Sequence, residues 1–256
     1  MVGFFLLATV FDSFGGTVAW FYALDSDKME FEKVAGKPLR SIQSGGCSIH
    51  EYQVGPHRVV AAKMGSGCVN TTATVATVMA LNAVDRVIST GPAGGLTESN
   101  KHGMWLRVET VIGWQSGRAT DGGRIFLGEK ARSEVAFVSS EWPEGEWQNA
   151  QAVKLVSGEV FVASGEVRSR LATEHGAGAV EMNAYGLLAG LEGRQVKLLI
   201  LRVVSDLADE KASEDFAEFL KNYDGKGGKW VAEMVDKLPA EKNEPAAHEA
   251  LRKLLE

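Results

Sequence analysis

Two short stretches of this 256-residue chain hold side chains able to move a proton in a buried setting. The first, AGAVEMNAYGLLAGL, presents Glu181, Met182 and Asn183 after a small-residue turn and ahead of a helix pattern. The second, LLILRVVSDLADE, is an apolar strand pattern that stops at Ser205 and Asp206. An acid placed where such a strand stops stands at the mouth of a sheet, the usual ligand position in open α/β sheets. Val203, Val204 and Leu207 surround it with apolar neighbours. Burial of that kind raises a carboxyl pKa, so Asp206 is expected to keep a proton at neutral pH and to deliver it as a general acid. Read alone, S-D-L-A-D-E also suits the start of a helix, with Asp206 as its cap.

Arg202 interrupts the apolar run LLILRVV and must have a partner, because a buried, unpaired arginine is strongly destabilising. Asp12 is one acid that could supply it. It follows the run VGFFLLATVF, which lacks a basic leader segment and is far short of the ~20 apolar residues of a membrane span. That run is expected to form the first buried strand, Gly3 to Thr9. Asp12 has a second reading as a turn residue ahead of Gly15 and Gly16.

The elements that must position these residues follow a repeating pattern. Strand-like segments occupy Arg58 to Met64, Arg86 to Ser89, Arg107 to Ile112, Val153 to Val156, Gly178 to Glu181 and Lys197 to Val204. Helical periodicity appears at Thr71 to Asn82, Glu166 to Glu174, Ala184 to Leu191 and Phe216 to Lys221, and the chain stays amphipathic from Ser213 onward. Alternating strands and helices imply a wound α/β sheet covered on both faces. Ser139 to Asn149, with Trp142, Pro143 and Trp147, has no period and reads as a surface excursion. No linker divides the chain, so residues 1–256 are read as a single domain.

A formal charge of −6 argues against nucleic acid or an anionic membrane as partner. Two cysteines, Cys47 and Cys68, do not make a disulfide framework, and a reduced, cytoplasmic setting is expected. The five histidines lack metal-ligand spacing, and no metal or cofactor is implied.

Taken together, VEMN, R-V-V-S-D, the glycine-rich VISTGPAGGLTE and LVSGEVFVAS resemble the nucleoside phosphorylase/nucleosidase family. The similarity is greatest to the 5′-methylthioadenosine/S-adenosylhomocysteine nucleosidases, and it covers Gly3 to about Leu220, with a poor match between Lys101 and Asn149. The resemblance implies a three-layer α/β/α sandwich around a mixed, twisted sheet, and a homodimer. It implies hydrolysis of a purine nucleoside without cofactor. Asp206 would protonate the purine, backed by Ser205, while Arg202 and Asp12 hold and activate water. Glu181, Met182 and Asn183 would line the sugar. Phe161 would stack on the base beside backbone groups of Val162, and Pro92, Ala93 and Gly94 would lie along the nucleoside. Phe161 on its own reads as a core phenylalanine.

Two departures from the family pattern bear on the reaction. Asn183 stands where the family has a glutamate that binds both ribose hydroxyls, and Pro92 where a serine is common. These leave room for a nucleoside-binding paralogue without chemistry. Ile88 stands where hexameric phosphorylases carry a phosphate-holding arginine, so water is expected as the attacking group in preference to phosphate.

Overall fold

The computed structural model describes residues 15–121, 125–128, 131–135 and 139–240. Its centre is a ten-stranded mixed sheet. Four parallel strands form the heart of it: β1 (Thr17–Tyr22), β4 (His57–Lys63), β5 (Arg86–Gly95) and β12 (Lys197–Asp206). Each is buried along nearly its whole length, as expected of strands covered on both faces.

Side chains alternate between two cores. Ala19, Phe21, Val60, Ala62, Val87, Ile200 and Val204 pack on one face against α2 (Cys68–Leu81) and α4 (Ala184–Gly190). Val18, Trp20, Tyr22, Val59, Ala61, Ile88, Leu199 and Leu201 pack on the other against α1 (Asp25–Ala35) and α6 (Lys226–Asp236). In α2 the core residues Val75, Val78 and Met79 recur at helical spacing, and in α6 Trp230, Val231, Met234 and Val235 do the same.

Beyond β4 the antiparallel strands β3 (Cys47–Val54) and β2 (Arg40–Ser44) extend the sheet. Beyond β12 come β6 (Trp105–Gly113), β10 (Gln151–Ser157) and β11 (Ala179–Glu181), with β9 (Arg132–Glu134) also paired to β6, while β7 (Gly117–Ala119) and β8 (Ile125–Leu127) form a separate hairpin. The expected mixed sheet with helices on both faces is therefore present, with one addition. β11 also pairs antiparallel with β5, which closes β5, β12, β6, β10 and β11 into a ring. A third core fills that end, where Val156, Val162, Val180 and Ala208 meet Leu171 of α3 (Gly165–His175).

One expectation needs correction. The segment 139–149 is irregular, but it is not only a surface excursion: Trp142 and Trp147 are buried in the α1–α6 core, and the Trp147 indole donates to the Pro143 carbonyl. The strand Gly3 to Thr9 lies outside the described residues. The first described strand is TVAWFY, a continuous apolar run outside the strand segments expected from the sequence.

Candidate active site

Gly94 joins the pieces of the site. It stands opposite Asp206 of β12 and Val180 of β11, between the strands that carry Asp206 and Glu181. A β-carbon there would come within 2.8 Å of Asp206 Oδ1, 3.1 Å of the Ala208 β-carbon and 3.3 Å of Val180, so only glycine permits this approach.

Asp206 is buried where β12 ends. Its Oδ1 accepts from the Ala208 amide at 2.9 Å, and its Oδ2 lies 2.8 Å from the Ser205 hydroxyl. Ala208 is held at φ 54° to make that turn, a strained conformation for a residue with a side chain. The Ser205 hydroxyl also lies 3.3 Å from the Ala93 carbonyl. One hydroxyl proton cannot satisfy both acceptors. With Asp206 ionised, Ser205 donates to its Oδ2; a proton on Oδ2 would instead let Asp206 donate to Ser205 while Ser205 donates to Ala93. Burial pushes the Asp206 pKa upward, outweighing the donations from Ala208 and Ser205. Desolvation favours the protonated acid, and the position of Ser205 between two acceptors accommodates it.

One strand turn back, Arg202 is buried and fully engaged. Its Nε and Nη2 donate to Glu181 Oε2, and its Nη1 to the Ser89 hydroxyl and the Leu201 carbonyl. The partner of Arg202 is thus Glu181, in place of the Asp12 suggested by sequence. Asp12 lies outside the described residues. The acids after the first described strand are Asp25, exposed and paired with Lys63, and Asp27, buried on the opposite face of the sheet. The Glu181 carboxylate accepts from the Asn183 and Ala184 amides as well, which fixes the start of α4.

Asn183 is half-buried and turns its side chain away from α4, towards the turn after β4 and the first turn of α2. There α2 and α4 approach closely, because Gly186 has no β-carbon to strike the backbone of Cys68. Met182 is also half-buried, and its carbonyl faces the Cys68 thiol. Phe161 is 41% exposed and lies against Phe216 of α5 (Ala212–Asn222), ring centroids 5.8 Å apart, so it is not a core phenylalanine. Val162 is buried in the third core, while Ala93 is buried and Pro92 partly so along β5.

Three participants were not foreseen. Ser89 braces Arg202, Thr71 holds Asn183, and the Glu159 carboxylate accepts from the Val69 amide in the first turn of α2. Nothing in their local sequence marks them, since each acts through a residue distant in the chain. A cavity of about 480 Å³ lined by His102, Trp105, Val203, Asp215, Tyr223 and Lys226 lies towards α5 and α6 and does not include Asp206 or Glu181.

The family model described as the phosphorylase superfamily matches residues 14–236. This chain belongs to the phosphorylase superfamily. The match begins beyond Asp12. Among relatives within the superfamily, a 5′-methylthioadenosine/S-adenosylhomocysteine nucleosidase of Glaesserella parasuis is 26% identical over 75% of this chain and 86% of its own. An aminodeoxyfutalosine nucleosidase of Helicobacter pylori is 28% identical over 79% of this chain and 91% of its own. The crystal structure of the Neisseria meningitidis methylthioadenosine/S-adenosylhomocysteine nucleosidase with methylthio-immucillin-A superposes with a TM-score of 0.71 at 28% identity, covering 87% of this chain and all of that one. The Helicobacter pylori nucleosidase with butyl-thio-DADMe-Immucillin-A gives 0.76 at 25% identity, over 87% of this chain and 99% of that one.

Proposed function

We propose that this superfamily member is a nucleosidase that hydrolyses the N-glycosidic bond of a 5′-modified adenine nucleoside of the methylthioadenosine or S-adenosylhomocysteine type. The observation that supports this reading is the buried Asp206–Ser205–Ala93 chain, in which a proton on Asp206 would be available to a leaving base. Bond cleavage places negative charge on the purine, and positioned proton transfer typically accelerates such a step ~100- to 10,000-fold. Phe161, exposed beside the site-bearing strands, offers its ring to the base. Ser205, Met182, Asn183, Ala93 and Gly94 line the nucleoside, with Pro92 and the Val162 backbone beside them.

Water is the proposed nucleophile. The cation of this cluster, Arg202, is engaged by Glu181 and Ser89, and the first turn of α2 is occupied by the Glu159 carboxylate. Both features disfavour a phosphate anion. In this reading Arg202 and Glu181 hold β11 against β12, and an acid such as Asp12 draws the proton from water. The reading includes a homodimer, since Val69, 73% exposed next to Glu159, is an apolar side chain that a second copy would cover.

Base release from 5′-methylthioadenosine, S-adenosylhomocysteine and adenosine in phosphate-free buffer tests the proposal. Adenine from the 5′-thio substrates is the expected result. Release only on adding phosphate would make the protein a phosphorylase. Binding without release would make it a nucleoside-binding paralogue.

A further inference from the structure

The Asn183 amide nitrogen has two hydrogens and both are used. Nδ2 donates to the Gly65 carbonyl at 2.7 Å and to the Thr71 hydroxyl oxygen at 2.6 Å. Thr71 in turn donates to the Gly67 carbonyl at 2.9 Å. The amide orientation is fixed by these partners, because the flipped side chain would set Oδ1 against the Gly65 carbonyl, acceptor against acceptor. What Asn183 can offer a ligand is therefore its Oδ1 alone, a single neutral acceptor. The neighbouring carboxylate of Glu181 cannot make up the difference, because Arg202 and the amides of Asn183 and Ala184 already surround it.

A ribose presents two adjacent hydroxyl donors, and a carboxylate could accept both with charge-assisted bonds. Asn183 offers one neutral oxygen, so neither hydroxyl gains a charge-assisted bond. Resting on the nucleosidase reading, we infer that this site does not select for the ribose diol and accepts purine nucleosides whose sugar lacks the 2′- or the 3′-hydroxyl. One neutral hydrogen bond changes affinity by roughly tenfold or less, whereas a pair to a charged acceptor is worth a few hundredfold or more. The sequence difference at this position is thus a change in sugar specificity, built into the scaffold by Gly65 and Thr71.

The test compares 5′-methylthioadenosine with its 2′-deoxy and 3′-deoxy counterparts. Removing the 2′-hydroxyl itself makes the glycosidic bond easier to break, so affinity is the cleaner readout. Dissociation constants are measured by calorimetry on Asp206→Asn, with base release by the unaltered protein alongside. Affinities within about tenfold of one another are expected. A larger loss for either deoxy compound overturns the inference and leaves the nucleosidase reading standing. If none of the three binds to folded protein, the nucleosidase reading fails and the inference falls with it. A second variant, Asn183→Asp, cannot donate to Gly65 and frees a carboxylate for the sugar. Its preference for the ribose compound should rise above tenfold, and an unchanged preference would also overturn the inference.

Discussion

Arg202 and Glu181 meet inside the protein, both nearly inaccessible to solvent, with Nε and Nη2 of the guanidinium 3.2 and 3.1 Å from one carboxylate oxygen. The pair ties β12 to β11 across β5, and the same carboxylate anchors the start of α4. Removing one partner leaves an uncompensated buried charge, which typically costs about 3–5 kcal/mol, while replacing both with apolar residues is far milder. Arg202→Leu should therefore lower the unfolding free energy in urea by about that amount. The double variant Arg202→Leu/Glu181→Leu should lose clearly less than the two single losses added together. Strict additivity would show that the pair is not the coupling element.

Asp206 should control the alkaline side of the rate profile. Its pKa lies above the ordinary aspartate range, and only the protonated form can supply a proton to the leaving base. Activity should accordingly be present at lower pH and fall as pH rises through that elevated value. Asp206→Asn should reduce kcat ~100- to 10,000-fold. It should not reduce stability, because an amide can donate to Ser205 as the protonated acid does and carries no charge to bury. Turnover like that of the unaltered protein in this variant, measured by adenine release, would remove Asp206 from the acid role.

Much of this frame can be read from the chain, because its strongest signals are local. The apolar run Leu198 to Val204 reads as a buried strand, and the acid at its end as either a sheet-mouth acid or a helix cap. The interruption at Arg202 announced a buried partner but not its identity, since Glu181 is brought alongside only when β11 folds back onto β5. The role of Asn183 was equally hidden. It depends on Gly65 and Thr71, more than a hundred residues away, meeting its amide. The first described sheet strand, TVAWFY, follows Gly16, and only its pairing with β4 and β5 marks it as central.

Asp27 gives a prediction about stability with a defined sign. It is buried between α1 and α6, accepting from the Tyr223 hydroxyl at 2.7 Å, the Thr90 hydroxyl at 3.1 Å and the Gly228 amide at 3.2 Å. Desolvation raises its pKa from 3.8 to about 6, against the opposing pull of those donors. The folded protein therefore binds this proton more tightly than the unfolded chain. Its contribution to stability is greatest below about pH 4, declines as pH rises to about 6, and is level beyond. The total change is on the order of 3 kcal/mol. Urea unfolding of the unaltered protein and Asp27→Asn between pH 4 and 7 should show this slope in the difference between them. A difference independent of pH would contradict the shift.

Gly94 allows the acid and the rest of the site to be separated experimentally. In Gly94→Ala the new methyl group would sit 2.8 Å from Asp206 Oδ1, with the Ala208 β-carbon at 3.1 Å and Val180 at 3.3 Å behind it. The carboxyl is the softest of these neighbours, because Ala208 and Val180 are locked in the third core. Asp206 should therefore yield first, breaking the alignment with Ser205 that holds the transferable proton. A displacement of about 1 Å at a reacting group can reduce rate ~100-fold, while overpacking of this kind costs typically 1–3 kcal/mol of stability. The expected signature is a large fall in kcat with the fold retained, read from adenine release and a thermal melt on the same preparation. Near-normal kcat in a folded Gly94→Ala protein would mean that the position of Asp206 relative to β5 does not govern catalysis.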